Sequence, residues 1–292
     1  MTKAPQLCLG TVQFGLAYGV TNQSGQVPED EVRKILDLAS SSGISLLDTA
    51  QSYGNSEEVL GNCWPADAPR RLISKLSPGA SRQSWEDSLT TSLQRLHTSQ
   101  LDAFLLHRAS DLLSTDGEEL LYWLESLRNR GLVKRIGVSI YEASDLEGLP
   151  LDRLQLVQLP LSVYDQRLIN DGTLSKLHDL GLAVHVRSVL LQGLLLKYSE
   201  YWPDHLSSEF RTHHDRWIKH LHHFGLSPLS GALAFVRACK GVEAVLVGVL
   251  SEQELAQLLK AWSEAQVLPL DLLSEWAWEN KVDLDPRTWP SR

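Results

Sequence analysis

The chain reads as an α/β protein of the (β/α)8 or TIM-barrel class, one domain over residues 1–292, with its site at the C-terminal ends of the strands. Three observations predict this. A length of 292 residues suits one such barrel better than two average domains. Short apolar runs rich in Val, Ile and Leu recur along the chain. Longer amphipathic segments separate them, and several of these end at a glycine that would close a helix. Parallel strands need crossovers that return the chain to the same end, and helices supply them. On pattern alone a doubly wound open sheet satisfies the same alternation.

In order, the strand candidates are Leu7 to Thr11, Ile44 to Thr49, Leu72 to Lys75, Leu101 to His107, Arg135 to Ser139, Leu156 to Leu159, Ala183 to Arg187 and Ala244 to Val247. The clearest helical periodicity lies in Glu29 to Ser41, Trp85 to Leu96, Gly117 to Arg130, Gly172 to Leu180, Pro228 to Ala238 and Glu252 to Trp262. Pro28-Glu29-Asp30-Glu31 places proline and acids in a first helical turn, where free N–H groups and the helix dipole favour them. The segment 194–226 breaks the rhythm with Tyr198, Tyr201, Trp202 and a run of histidines. It reads as an elaborated loop carrying its own helix, of the kind that shapes active sites. The tail 269–292 holds a further short helix candidate with Trp276, Trp278 and Trp289, placed either on the barrel wall or over its mouth. Trp202, Trp276 and Trp278 are candidates for a substrate wall, since such rings make stacking platforms.

Composition excludes several classes. A formal net charge of -9 without a Lys/Arg run argues against nucleic-acid binding, which needs concentrated positive charge. Cys8, Cys63 and Cys239 are odd in number and widely spaced, so neither a disulfide framework nor a zinc site is expected, and a reducing cytoplasm is. No signal-peptide core follows Met1 and no apolar stretch has the length of a membrane span, so an unprocessed soluble protein is expected. His213, His214, His220, His222 and His223 invite a metal reading, yet Asp215, Trp217 and Lys219 among them suit an exposed amphipathic helix, and no metal is expected.

Three buried-strand patterns end in a group that a purely structural strand does not need: Asp48 after Ile44-Ser45-Leu46-Leu47, Lys75 after Leu72-Ile73-Ser74, and His107 after Phe104-Leu105-Leu106. Tyr53 follows Asp48 in the same loop. Each alone has an ordinary structural explanation. In a barrel, however, the carboxyl ends of successive strands converge on one face, so these groups meet there.

The segment Asp48-Thr49-Ala50-Gln51-Ser52-Tyr53-Gly54-Asn55-Ser56-Glu57 resembles the signature of the aldo-keto reductases. The similarity covers nearly the whole chain, from Leu9-Gly10-Thr11 through Lys75, Leu106-His107, Gly137-Val138-Ser139 and Gln158 to Val247-Gly248. It implies Asp48, Tyr53, Lys75 and His107 as a carbonyl-reducing tetrad. Tyr53 would be the general acid, with Lys75 lowering a phenol pKa that is ordinarily about 10. Asp48 would hold Lys75 charged and aimed, and His107 would position the carbonyl oxygen. The resemblance further implies Thr11, Ser139, Gln158, Arg187, Ser188, Leu190, Gly193 and Gly248 as cofactor positions, for NADPH with NADH possible. The substrate would be a small carbonyl compound or the matching alcohol or sugar.

Departures from the family pattern are local. Ile140 stands where an asparagine commonly helps to hold the nicotinamide carboxamide, and Arg187 where an aromatic ring commonly stacks. Val249-Leu250-Ser251-Glu252-Gln253-Glu254 lacks the cations that many relatives place on a ribose 2'-phosphate, with Lys197 and Lys260 as possible substitutes. The first strand begins around Leu7, which leaves no room for the hairpin that commonly plugs the barrel's bottom. Ile140 and the bare 2'-phosphate region support an alternative from another class, a nucleotide-binding regulatory barrel with little turnover.

Overall fold

The computed structural model describes residues 4–264 and 275–289. Eight parallel strands close into a barrel in sequence order: β1 Gln6–Gly10, β2 Leu46–Asp48, β3 Arg71–Leu76, β4 Leu101–Leu106, β5 Val133–Ser139, β6 Leu156–Pro160, β7 Ala183–Arg187 and β8 Val242–Val247. β8 pairs back onto β1, through Cys8 beside Leu246, and that closure decides between the barrel and the open sheet. β2 is shorter than its apolar run suggests, but the amide of Thr49 still bonds to Ile73 O at 2.8 Å, so the chain stays in register one residue beyond the strand.

The helices bury one face each against the sheet. In Glu29–Ser41 the buried residues are Val32, Ile35, Leu36 and Ala39, the spacing of one helical stripe. Pro28 itself is the N-cap, with the acids of the first turn behind it. Each large member of such a stripe contributes about 1.5–3 kcal/mol when fully buried.

Between β7 and β8 the chain carries the helix Ser208–His223. That helix is not an exposed one: it buries Phe210, His214, Trp217, Ile218 and Leu221. The tail supplies the covering rings. Trp278 stacks on Phe210 with centroids 5.2 Å apart, and its amide bonds to Tyr164 O at 2.9 Å. Trp276 lies against His213 and His220. The described part of the tail therefore packs beside the barrel mouth, while residues 269–274 and 290–292 fall outside the described residues.

At the N-terminal mouth, Arg135 donates to Asp102 and to Glu243, each at 2.7 Å. His185 Nε2 lies 3.0 Å from Glu243 Oε1. This ionic group sits on the ends of β4, β5, β7 and β8, opposite the candidate site.

Candidate active site

Strand periodicity explains how the site is built. Successive side chains alternate between the faces of a strand, so positions two apart share one. Leu46, Ile73, Leu105 and Leu156 fill the barrel interior. Two residues farther along their strands stand Asp48, Lys75, His107 and Gln158, which thereby form the next layer toward the C-terminal mouth.

Lys75 is wholly buried, and its Nζ donates to Asp48 Oδ1 at 2.5 Å and to Thr49 O at 2.9 Å. Asp48 Oδ2 accepts from Gln158 Nε2 at 2.8 Å, so both carboxylate oxygens are occupied. Burial alone would pull the Lys75 ammonium down; the Asp48 carboxylate outweighs it and holds Lys75 above its ordinary pKa. The same Nζ lies 5.2 Å from the centre of the Tyr53 ring.

Tyr53 sits in a tight turn seated by two glycines. A Cβ on Gly15 would lie 1.9 Å from Tyr53 O, and one on Gly54, whose φ is +58°, would lie 2.2 Å from Gly15 O. Only glycine permits these backbones to meet. Below the turn, Ser74 Oγ donates to the buried Glu57 at 2.6 Å and ties the helix Ser56–Cys63 to β3. Burial raises the Tyr53 phenol above its ordinary range, and Lys75 opposes the shift without cancelling it. Lys75 lowers the Tyr53 pKa as expected, but burial outweighs it, so the net shift is upward and the phenol is protonated at neutral pH.

His107 stands edge-on to Tyr53, with ring centroids 5.6 Å apart and planes at 84°. Its Nδ1 lies 2.8 Å from Ser52 Oγ. Burial, assisted by Lys75, lowers its pKa to about 4, so the ring is neutral near pH 7.

A cavity of about 600 Å³ opens above these groups, lined by Asp48, Tyr53 and His107 with Lys75 beneath. Thr11, Ser139, Gln158, Arg187, Ser188, Leu190, Gly193 and Gly248 line it as well. Thr11 lends little free polarity, because its hydroxyl bonds to Asp48 O at 3.0 Å and meets Ser56 Oγ at 2.8 Å. Gln158 differs: its Oε1 is buried with no hydrogen-bond partner among the described residues. After β7, Ser188, Leu191, Gln192 and Gly193 all have positive φ. Such strain gathers where backbone is shaped for a ligand. The loop is tied across the cavity by Thr21 Oγ1 donating to Gln192 O at 2.8 Å and by Gln192 Nε2 donating to Tyr18 Oη at 3.1 Å.

The sequence matches the model of the aldo/keto reductase family over residues 6–275. The chain belongs to the aldo/keto reductase family. It is thus an enzyme of the oxidoreductase class. It is 28% identical to the L-galactose dehydrogenase of Arabidopsis thaliana, across 98% of this chain and 94% of that protein. An aldo-keto reductase of Bacillus halodurans in its holo form superposes with a TM-score of 0.78 at 19% identity, over 97% of this chain and all (100%) of that one. An aldo-keto reductase of Klebsiella pneumoniae in complex with NADPH gives 0.70 at 21%, over 98% and 99%.

As an aldo/keto reductase the chain has several features that its sequence did not disclose. Ile140 is core, and its carbonyl accepts from Arg187 at 2.9 Å. Arg187 also lies 4.0 Å above the Tyr141 ring, whose other contact is Arg287 at 3.8 Å. Tyr18, Ser52, Tyr141 and Gln192 line the cavity, and nothing in their spacing marks them out. Lys197 reaches the cavity and Lys260 is not among its lining residues; Glu254 is, with one carboxylate oxygen accepting from the Leu250 amide at 2.7 Å. Trp202, Trp276 and Trp278 are absent from the lining, which corrects their reading as a substrate wall: they pack with Phe210, His213 and His214 instead. His214 lies between the hydroxyl of Tyr164 and the carbonyl of Lys197, at 2.9 and 2.8 Å. Among the described residues no group of three or more His, Cys, Asp or Glu is arranged for a metal.

Proposed function

We propose that this aldo/keto reductase reduces an aldehyde or ketone, or oxidises the matching alcohol or sugar hydroxyl, with Tyr53 as the proton donor and acceptor. The observation that carries the proposal is the buried Lys75–Asp48 pair beneath a protonated Tyr53 and beside a neutral His107. Bound NADPH, or NADH, would supply the hydride. Gln158 Oε1, the buried acceptor without a partner among the described residues, fits the amide of a nicotinamide carboxamide, with Ser139 beside it on the next strand. Ser188, Leu190 and Gly193 belong to the strained loop suited to the dinucleotide phosphates, Arg187 to the floor before it, and Thr11 and Gly248 to the adjoining wall. The Klebsiella structure, which contains NADPH, supports that choice of cofactor, and the name of the Arabidopsis relative supports a sugar hydroxyl among the substrates.

In reduction, Tyr53 gives its proton to the carbonyl oxygen, and Lys75 stabilises the phenolate that remains. His107 donates a hydrogen bond to the same oxygen and opposes charge build-up. In oxidation the tyrosinate takes the proton back from the hydroxyl. The cytoplasm is its proposed compartment, on the strength of the unpaired Cys8, Cys63 and Cys239.

The test begins with titration of the protein by NADPH and by NADH, read through tryptophan fluorescence, followed by a screen of carbonyl substrates. Tyr53→Phe is expected to bind cofactor like the parent and to lose about 10²- to 10⁴-fold in turnover. Unchanged turnover in that variant refutes the assignment.

A further inference from the structure

A neutral imidazole carries one N–H, and which nitrogen bears it decides what the ring can do. A carbonyl oxygen only accepts, so a histidine that steadies it must present a proton. Among the described residues, the His107 ring has one hydrogen-bond partner, Ser52, whose Oγ lies 2.8 Å from Nδ1. Nε2 is therefore the nitrogen left to meet a substrate in the cavity that His107 lines.

We propose that Ser52 is a positioning residue: its hydroxyl donates to His107 Nδ1 and so holds the imidazole in the tautomer whose proton is on Nε2. The inference rests on the carbonyl-reducing reading above, and it adds the device that sets the proton's place. Ser52 is suited to it by position. It immediately precedes Tyr53 in the turn seated on Gly15 and Gly54, so one rigid turn presents the proton donor and also orients the ring packed against that donor's edge.

His214 shows the contrast within the same molecule. Its Nε2 faces the carbonyl of Lys197, which can only accept, so that proton is on Nε2 whatever the Tyr164 hydroxyl does. His107 has no such carbonyl partner among the described residues. A hydroxyl donates or accepts as required, so removing it frees the ring to adopt either tautomer.

The experiment uses uniformly 15N-labelled full-length protein and long-range 1H–15N correlation of the imidazoles, with His107 assigned by the loss of its signals in His107→Gln. The parent is expected to show the Nε2–H pattern for His107. Ser52→Ala, at an exposed position, is expected to shift the ring toward an averaged or Nδ1–H pattern. Its kcat should fall about five- to tenfold with cofactor affinity and KM nearly unchanged, the effect of losing one hydrogen bond. Ser52→Thr, which keeps the hydroxyl, should restore both the spectrum and the rate. An Nδ1–H pattern in the parent, or an unaltered spectrum and kcat in Ser52→Ala, overturns the proposal. Failure of the parent to turn over any carbonyl or alcohol would instead refute the reading on which it rests, a separate result because the tautomer is read without turnover.

Discussion

Replacing Lys75 by methionine separates what the buried ion pair does for the fold from what it does for the reaction. The side chain is wholly buried and its Nζ lies 2.5 Å from Asp48 Oδ1, so the variant leaves a buried carboxylate whose remaining side-chain partner among the described residues is the Gln158 amide. Breaking such a pair costs about 3–5 kcal/mol. Adding Asp48→Asn removes the stranded charge and should recover most of that loss. Chemistry should not recover. At 5.2 Å from the Tyr53 ring, and with an effective dielectric constant of about 20, the ammonium stabilises a phenolate by about 3 kcal/mol, or about two pKa units. Turnover of Lys75→Met and of the double variant should therefore fall about a hundredfold at pH 7, with the tyrosine limb of the pH profile displaced upward by about two units. Urea unfolding and initial rates across pH measure the two effects independently. A Lys75→Met protein as stable as its parent would refute the buried pair. A double variant with the parent's rate and pH profile would refute the electrostatic role.

Two other predictions follow from groups around the site and the core. Burial pulls His107 and His214 down to about 4 and lowers His185, so all three are neutral in the fold, whereas an unfolded histidine takes a proton near pH 6.5. Between about 6.5 and 4 the unfolded chain binds more protons, and stability should fall with pH by up to about 1.4 kcal/mol per unit for each histidine; a Tm that stays level from pH 7 to pH 5 would contradict their neutrality. Glu254→Lys places a cation in the cavity wall where a carboxylate now stands, and should raise the preference for NADPH over NADH by roughly tenfold in ratios of Kd, whereas an unchanged ratio would place the ribose elsewhere.

The barrel and the grouping of Asp48, Tyr53, Lys75 and His107 at its mouth were legible because both depend on short-range pattern. Eight apolar runs give the strands, and a polar group at the end of a run such as Phe104-Leu105-Leu106-His107 lies on the layer that the alternation of side chains fixes. Gln158 is a lone amide in the apolar run Leu156-Val157-Gln158-Leu159, visible for the same reason. What was not legible depends on packing between distant segments. Trp202 and Trp278 admitted a platform reading beside the more ordinary one of core packing, and the meeting of the late loop with the tail across Phe210 decides for core. The sign of the Tyr53 shift was missed likewise, since proximity to Lys75 is implied by strand order whereas the depth of burial that outweighs it is not.

The two positions at which the chain departs from the family resemblance, Ile140 and Arg187, are joined in the structure. Ile140 and Arg187 substitute jointly: the residue that lacks a polar side chain offers its backbone carbonyl, and the arginine that replaces a ring binds that carbonyl while stacking on Tyr141. Arg287 on the far side of Tyr141 holds Asp285 and Glu142, so the tail braces this wall from behind. A charged floor beneath the cavity is thus fixed on three sides before any ligand enters, and a fixed dipole or charge costs nothing to reorganise when the reaction proceeds. Asp48, Lys75 and His107 are set independently of this wall, by the strand ends beneath, and Tyr53 by the turn seated on Gly15 and Gly54.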